Sequence, residues 1–265
     1  MYARIVRDSW RARIDRSQEL AEADPAARSL LRSYACLLGV QRDCAERLDK
    51  MSGTLTGSLD HDLEFVQPCI PAVLSALDAV APPDLAADAR RLLDQGDDAI
   101  GSMLLDEWSR SAGHSFFAKV VLQPYASALA TAAIRPADRP MRAGDNFCPV
   151  CGGAPQLAFL QTAADADGGG RHLQCATCFA VWPFRRVLCA HCGEENEPRL
   201  GYFQSSAFEH VRIDACETCH HYLKTIDLTR LGLAVPLVDE VAAASLDLWA
   251  RDHGYEKIEF NLIGL

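Results

Sequence analysis

The sequence lacks a long apolar segment. No stretch of about 18 uninterrupted apolar residues occurs among its 265 residues, and the nearest candidate, 116–134, is broken by Lys119, Gln123 and Pro124. A transmembrane helix needs about 20 apolar residues, so we expect no membrane insertion. The first 20 residues carry charges every few positions and contain no apolar core of a secretory signal. We therefore expect a cytoplasmic protein.

The sequence also lacks an excess of positive charge. It has 36 acidic against 26 basic residues, a formal net charge of −10, and acidic residues outnumber basic ones within 141–225 as well. Nucleic-acid-binding proteins usually present a basic surface to the phosphates. We therefore expect no nucleic-acid partner, although zinc ribbons often bind nucleic acid and this alternative is kept as the least favoured.

Common catalytic motifs are absent too. The sequence has no serine elbow, no HExxH helix, no Walker loop and no dinucleotide-binding glycine fingerprint. Its 49% apolar and 23% charged residues are ordinary for a globular protein. We expect a folded protein that is not an enzyme.

Residues 1–140 have the apolar spacing of helices. Residues recur at three- and four-residue steps between Leu30 and Leu48, and again between Phe65 and Leu77, where Pro68 and Pro71 mark a kink or a start. Two further helices are predicted with Asp84 and Ser115 as caps, the first running to Trp108 and the second to about Ala133. The proline-containing segment 134–146 is predicted to be a linker. Helical spacing returns at 238–249.

Cysteine is the abundant and informative residue. Of the 11 cysteines, Cys36, Cys44 and Cys69 lie on apolar helical positions and are predicted to be buried core thiols. The other eight form four C-x-x-C pairs: Cys148/Cys151, Cys175/Cys178, Cys189/Cys192 and Cys216/Cys219. In a reducing compartment such pairs indicate metal sites rather than disulfides.

An internal repeat indicates which pairs belong together. A shift of 41 positions superimposes the first two C-x-x-C pairs on the last two, along with Gly152 on Gly193 and Arg171 on Arg212. Each copy then consists of a C-x-x-C turn, which we call a knuckle, followed by two predicted strands, a second knuckle and a third strand. The repeat favours two four-cysteine metal sites, with crossed pairing as the alternative: Cys148, Cys151, Cys175 and Cys178 (site 1), and Cys189, Cys192, Cys216 and Cys219 (site 2).

Four thiolates suit one tetrahedral ion per site, either zinc or iron. With four cysteines available to each ion, the neighbouring His191, His220 and His221 are predicted to be solvated or hydrogen-bonded rather than ligands. Strands are predicted at 157–162, 171–174 and 179–188 in the first copy, with a flexible turn at 164–170. In the second copy they are predicted at 201–204, 210–215 and 221–228.

The predicted fold class is α+β with several domains. An α-helical domain (1–140) is followed by a first rubredoxin-like or zinc-ribbon module (141–188), a second such module (189–230), and a C-terminal helix and tail (231–265). A module of about 40 residues buries little apolar surface, so its bound metal is expected to supply much of the folding free energy.

The order and flanks of the knuckles resemble the FdhE family of formate dehydrogenase accessory proteins. The resemblance rests on CPVCGGAP (148–155), GRHLQCATCFAVWPFRRVLCAHCG (170–193), CETCHHYLK (216–224) and PLVDEVAAASLDLWARDHGY (236–255), and LQPYASALA (122–130) is similar as well. It implies a cytoplasmic protein that binds the catalytic subunit of formate dehydrogenase during assembly. It also implies iron held by the cysteine motifs.

Two functions remain open from the sequence. The first is a non-catalytic assembly factor, and the alternative is an iron-dependent protein that transfers electrons to the same client. The metal, iron or zinc, distinguishes them. Whether the chain forms a homodimer is also left open.

Overall fold

The first half of the chain is helical, as its apolar spacing predicts. The computed structural model describes residues 9–109, 115–163 and 166–264, without the side chains of 163–169. In this half the described chain forms helices α1 (Trp10–Ala23), α2 (Arg28–Lys50), α3 (Leu59–Val66), α4 (Ile70–Val80), α5 (Pro83–Asp94), α6 (Asp97–Ser109) and α7 (Phe116–Thr131).

The helix ends follow local chemistry. Ser115 caps α7, because its Oγ accepts a hydrogen bond from the backbone N–H of Ala118. The single helix predicted from Asp84 to Trp108 is wrong: it is two helices, α5 and α6, separated at Gly96, which has a φ of +83°. Helices α3 and α4 are separated by a 3₁₀ turn at Gln67–Cys69.

Among the residues that the structure describes, one helical segment is long and apolar enough to cross a membrane by length and composition alone. This segment is Leu59–Val80, and it contains polar and charged residues, because the sequence has no uninterrupted apolar run of that length. The 3₁₀ turn lies inside it, and Leu59, Ile70 and Leu74 are buried in the core of the helical half. Its Asp62 is buried and accepts a hydrogen bond from the Tyr125 hydroxyl (2.7 Å). These four residues therefore pack inside the helical half.

The cysteine-rich half forms one sheet. Its strands are β1 (Pro155–Ala163), β2 (Ala166–Cys175), β3 (Val181–Phe184), β4 (Leu200–Gln204), β5 (Val211–Cys216), β6 (His221–Asp227) and β7 (Glu256–Lys257). The flexible turn predicted at 164–170 is wrong for 166–170, which belong to β2, with Ala166 and Gly170 paired to β1. Residues 164 and 165 lie outside the described chain.

The two modules contribute three strands each, in the same order. The sheet runs β3-β2-β1-β6-β5-β4, with β7 paired to the start of β6. Neighbouring strands within a module are antiparallel, whereas β1 and β6 pair in parallel, with Leu157 opposite Lys224 and Leu160 opposite Asp227. The sheet is therefore continuous across the two modules, and its repeated strand order matches the sequence repeat.

Both faces of the sheet are covered. Along β1, Ala158 belongs to the core shared with the helical half, while Leu157 and Phe159 belong to a second core. That second core is closed by helices α8 (Pro236–Ala242) and α9 (Ala244–Asp252), where the sequence predicted a single helical run. The alternation follows from the two-residue side-chain period of a strand.

A buried ion pair ties the two ends of the chain together. The Arg16 guanidinium of α1 donates two hydrogen bonds to the Asp239 carboxylate of α8, at 2.7 and 3.1 Å. Asp239 also contacts His210 Nε2 (2.9 Å) and accepts from the backbone N–H of Val235. Burial opposes ionisation of Asp239, but its hydrogen bonds from His210 and Arg16 outweigh burial and lower its pKa. The helical half is thereby anchored to the far side of the sheet.

Candidate metal centres

The structure brings the first four paired cysteines into one cluster. Cys148 and Cys151 lie in the knuckle before β1, and Cys175 and Cys178 in the knuckle after β2. The Sγ atoms of Cys148 and Cys178 are 3.6 Å apart, and those of Cys151 and Cys175 are 3.5 Å apart. All four sulfurs lie within 4.8 Å of one another. We call this group cluster 1.

The last four paired cysteines form a matching cluster. The Sγ atoms of Cys189 and Cys219 are 3.8 Å apart, and those of Cys192 and Cys216 are 3.7 Å apart. These are the pairs that the 41-residue shift relates to the close pairs of the first cluster. We call this group cluster 2. Each cluster takes its cysteines from one module, so the crossed arrangement is not the one observed.

Both clusters have the dimensions of a tetrahedral thiolate site. A zinc–sulfur bond is about 2.3 Å long, which places the sulfurs of an ideal tetrahedron about 3.8 Å apart. The closest sulfur pairs, at 3.5 to 3.8 Å, fit that spacing. Backbone N–H groups point at the sulfurs too, from Thr177 to Cys175 Sγ (3.3 Å) and from His191 to Cys189 Sγ (3.4 Å). The two clusters can each hold a metal ion, and the donor set suits iron or zinc.

One thiol in each cluster is poised to ionise. In cluster 1 burial opposes ionisation of Cys175, but hydrogen bonds from the other three cysteines outweigh it and hold its pKa well below the usual value. In cluster 2 burial again opposes ionisation, and the backbone N–H groups of Cys219 and Thr218 lower the pKa of Cys216. Metals bind the thiolate form. The two poised thiols occupy equivalent positions of the repeat.

The knuckles depend on glycine at one position each. Gly152 and Gly193 follow the second cysteine of their knuckles with φ of +70° and +77°, a region that residues with a Cβ rarely adopt. A Cβ on Gly152 would lie 2.6 Å from the carbonyl oxygen of Pro140, whereas a Cβ on Gly193 would meet nothing within 4 Å. The first knuckle is therefore pressed against the 134–146 segment, and the second faces open space.

Gly152→Ala should destabilise the protein more than Gly193→Ala. In both variants an alanine must adopt a positive φ, which lowers the free energy of unfolding by about 1 kcal/mol. Only Gly152→Ala adds a steric clash with backbone, so we expect a total loss of about 2–4 kcal/mol there. Urea unfolding of the two metal-loaded variants measures the difference. Equal losses would contradict the packing of the first knuckle described above.

Cluster 1 is docked onto the helical half. The Arg139 guanidinium donates to the carbonyl of Cys151 (3.1 Å), and that of Arg142 donates to the carbonyl of Gly152 (3.1 Å). From α7, the Gln123 side chain donates to the carbonyl of Ala176 (2.8 Å) between the cysteines of the second knuckle. The four cysteines belong to the same buried core as the helices. The two cations also lie near a cluster that would carry negative charge when its thiols ionise.

The clusters differ in access to solvent. Every cysteine of cluster 1 is at most 1% exposed. In cluster 2, Cys189 and Cys216 are buried, but Cys192 is exposed and Cys219 is partly exposed. A molecule in solution can thus contact Cys192 and Cys219 of cluster 2, whereas it reaches no cysteine of cluster 1.

The other three cysteines are separate from the clusters. Cys44 and Cys69 are buried in the helical core, as predicted, with Cys44 Sγ 3.9 Å from the carbonyl of Cys69. The prediction is wrong for Cys36, which is exposed. It lies on the outer face of α2 between the buried Ala35 and Leu37, because successive helical residues turn by about 100°.

The histidines beside cluster 2 form a pair that sequence reasoning missed. The rings of His191 and His221 are stacked with centroids 3.6 Å apart and planes 8° from parallel. His221 Nδ1 donates to the carbonyl of Cys219 (2.7 Å). Burial, and secondarily the nearby His221, lower the pKa of His191. The repeat could have indicated this pair, because the two histidines occur in the second module alone. The first module has Val150 and Ala180 at the equivalent positions.

Family models match the cysteine-rich half of the chain. Residues 147–186 match the central domain of FdhE, and residues 187–263 match the C-terminal domain of FdhE. The boundary between the two matches falls between the two cysteine clusters. Each match contains one complete cluster.

Curated relatives carry the same family name. A protein FdhE homolog of Aquifex aeolicus is 41% identical over 119 residues, which is 45% of this chain and 42% of that protein. A protein FdhE homolog of Haemophilus ducreyi is 31% identical over 44% of this chain and 37% of its own length. The matched segment thus spans about two fifths of these relatives.

A solved structure has the same fold throughout. The crystal structure of the FdhE protein from Pseudomonas aeruginosa aligns with a TM-score of 0.72, covering 99% of this chain and 98% of that one, at 24% identity. The crystal structure of that protein therefore shares the fold of both the helical half and the continuous sheet.

Proposed function

We propose that the protein is a non-catalytic, cytoplasmic accessory protein of formate dehydrogenase, because residues 147–186 and 187–263 match the central and C-terminal domains of FdhE. In this proposal each cluster binds one metal ion through its four cysteines, and the protein binds the catalytic subunit of the dehydrogenase during assembly. The observation that carries it is the pair of complete four-cysteine clusters, one inside each matched family domain.

The ligand set supports an accessory role over a catalytic one. Four thiolates complete a tetrahedral ion, whereas catalytic zinc sites keep one position for water or substrate. The bound ions would then hold the sheet together and shape its surface. Small domains of this kind draw a large part of their folding free energy from the metal. The relatives are named FdhE homologs and not as enzymes.

The exposed cysteine of cluster 2 supports a second candidate function. If cluster 2 binds iron, Cys192 places one of its ligands at the surface, where an electron-transfer partner can approach it. The protein would then exchange electrons with its client. Redox-silent zinc after anaerobic purification would exclude this alternative, whereas a visible chromophore that bleaches reversibly on reduction would favour it.

The accessory role predicts a cellular requirement with a specific cysteine dependence. Removing the gene should abolish most formate dehydrogenase activity of the host, and the wild-type chain should restore it. Cys192→Ser, which removes an exposed ligand of cluster 2, should restore it poorly. Cys36→Ser, which changes an exposed cysteine on α2, is the matched control and should restore it fully.

Binding is measured separately. The purified chain should bind the formate dehydrogenase catalytic subunit by biolayer interferometry and ignore an unrelated oxidoreductase of similar size. Full dehydrogenase activity in the cells that lack the gene, or equal binding to both proteins, would contradict the proposal.

A further inference from the structure

Cluster 2 has a second group of ligands on its solvent side. Nitrogen atoms of His191 and His221 and the sulfur of Cys219 all lie within 4.8 Å of one another. His191 is exposed, and His221 and Cys219 are partly exposed. We call these three residues the outer ligand set. It shares Cys219 with cluster 2, so an ion held here would already contact one sulfur of the inner site.

The tautomer of His221 is that of a metal ligand. Its Nδ1 lies 2.7 Å from the carbonyl oxygen of Cys219. A carbonyl only accepts, so Nδ1 carries the proton and the lone pair is on Nε2. Metal-binding histidines usually fix their tautomer in this way, by donating the other ring N–H to a carbonyl or carboxylate. The Glu256 carboxylate, 3.8 Å from Nε2, adds negative charge that attracts a cation.

The first module provides an internal comparison. At the positions equivalent to His191 and His221 it has Val150 and Ala180, neither of which can bind a metal. Its cluster is also closed to solvent. The outer ligand set therefore occurs at the cluster that solvent can reach and is missing from the cluster that it cannot.

We propose that His191, His221 and Cys219 form a transfer site through which a divalent transition-metal ion enters and leaves cluster 2. The inference rests on the proposed binding of metal by the cysteine clusters. On entry the ion binds Cys219 and one nitrogen of each imidazole, and the two rings turn out of their parallel stack so that both lone pairs point at the ion. It then exchanges the nitrogens for the sulfurs of Cys189, Cys192 and Cys216. Thiols still protonated at that point release their protons to water, and the histidines are left neutral. Leaving is the reverse.

The test follows the replacement of Co²⁺ by added Zn²⁺ in the full-length protein loaded with Co²⁺, because four-thiolate sites bind zinc more tightly than cobalt. Sulfur-bound Co²⁺ has a charge-transfer absorption, so its loss reports exchange at the clusters. The key variant is His191→Val with His221→Ala, which installs the side chains of the first module at equivalent positions. We expect a rapid phase for one ion and a slow phase for the other, with the rapid phase slowed about tenfold or more in the variant. The slow phase and the final stoichiometry should not change.

Two further variants make the result specific. His253→Ala removes a histidine that is stacked on Trp249 and belongs to neither cluster nor the outer ligand set, and it should exchange like the wild type. The single variant His191→Val changes an exposed side chain and tests the site even if the double variant folds poorly.

Equal rapid phases in the wild type and the histidine variants would overturn the transfer site while leaving the cysteine clusters as metal sites. Absence of any sulfur–cobalt absorption after loading the wild type with Co²⁺ would instead overturn the metal assignment itself, and this inference with it. Whether formate dehydrogenase requires the protein is measured separately, by removing the gene. A failure of the proposed accessory function can therefore be distinguished from a failure of the transfer site or of the metal assignment.

Discussion

Cys175→Ser should lose one metal ion and unfold most of the chain, whereas Cys216→Ser should lose one ion and leave the helical half folded. The two cysteines are equivalent in the repeat, and each is the ligand whose pKa is lowered in its cluster. The difference comes from their surroundings. Cys175 is fully buried in the core shared with the helices, and cluster 1 is hydrogen-bonded to Arg139, Arg142 and Gln123.

The expected magnitude is large. Structural zinc contributes roughly 10–16 kcal/mol of apparent free energy in small peptides, which is as much as the whole stability of an ordinary domain, about 5–15 kcal/mol. Loss of the ion from cluster 1 should therefore leave most of the protein unfolded, so that no cooperative unfolding transition is observed. Cluster 2 lies at the more exposed end of the sheet, so its loss should free strands β4 and β5 while α1–α7 keep their packing.

Metal analysis combined with circular dichroism at 222 nm measures both effects. Cys36→Ser is the control and should retain two ions and the wild-type melting temperature. Equal losses of helical signal in the two cluster variants would contradict the unequal docking of the clusters. Loss of both ions from Cys216→Ser would show that the continuous sheet couples the sites more strongly than we infer.

Glu240→Gln should lower the free energy of unfolding by about 3–5 kcal/mol, the usual cost of breaking a buried ion pair. Glu240 lies in a group of four buried charges between the sheet and the C-terminal helices. Lys224 Nζ is 3.0 Å from Glu240 Oε1, and Lys257 Nζ is 3.0 Å from Asp247 Oδ1, with further contacts of Lys224 to Asp247 and of Lys257 to Glu240. Glu240 and Lys224 are fully buried. The variant would leave two ammonium groups with one carboxylate.

The same group gives a pH dependence. Burial opposes ionisation of Glu240, but Lys224 and Lys257 outweigh it and lower its pKa from 4.5 to about 2. A lowered pKa stabilises the folded state above the unfolded value, and that stabilisation disappears as the pH falls through the folded value. The stability difference between wild type and Glu240→Gln should therefore be largest above about pH 4.5 and shrink toward pH 2.

Urea unfolding across this pH range tests the prediction. Glu195→Gln is the matched control, because the Arg185–Glu195 pair is exposed on both sides and should contribute nothing measurable. A stability difference that stays constant with pH would contradict the role assigned to the Glu240 carboxylate.

Much of the candidate site could be predicted from the sequence because its determinants are local. A C-x-x-C pair forms a knuckle wherever it occurs, and the 41-residue repeat indicates which knuckles share a cluster. Ser115 caps α7 through a contact three residues away, which is equally visible in the sequence. Gly96 could have been recognised as a break between α5 and α6, since glycine is unfavourable inside a helix and common just past a helix end.

The missed features depend on contacts between distant segments. No local pattern indicates that β1 pairs in parallel with β6, because that pairing joins residues more than 60 positions apart. Lys224 is fully buried although lysine is normally exposed, and only its distant partners Glu240 and Asp247 make this possible. The stacking of His191 on His221 likewise requires the two knuckles of the second module to meet.

Native mass spectrometry of anaerobically purified protein, under reducing conditions, tests the central claim most directly. The account predicts a folded chain carrying two metal ions, with one ion lost from each single-cluster cysteine variant. A freshly isolated chain without bound metal that nevertheless keeps the full sheet, and resists proteolysis beyond residue 147, would contradict it.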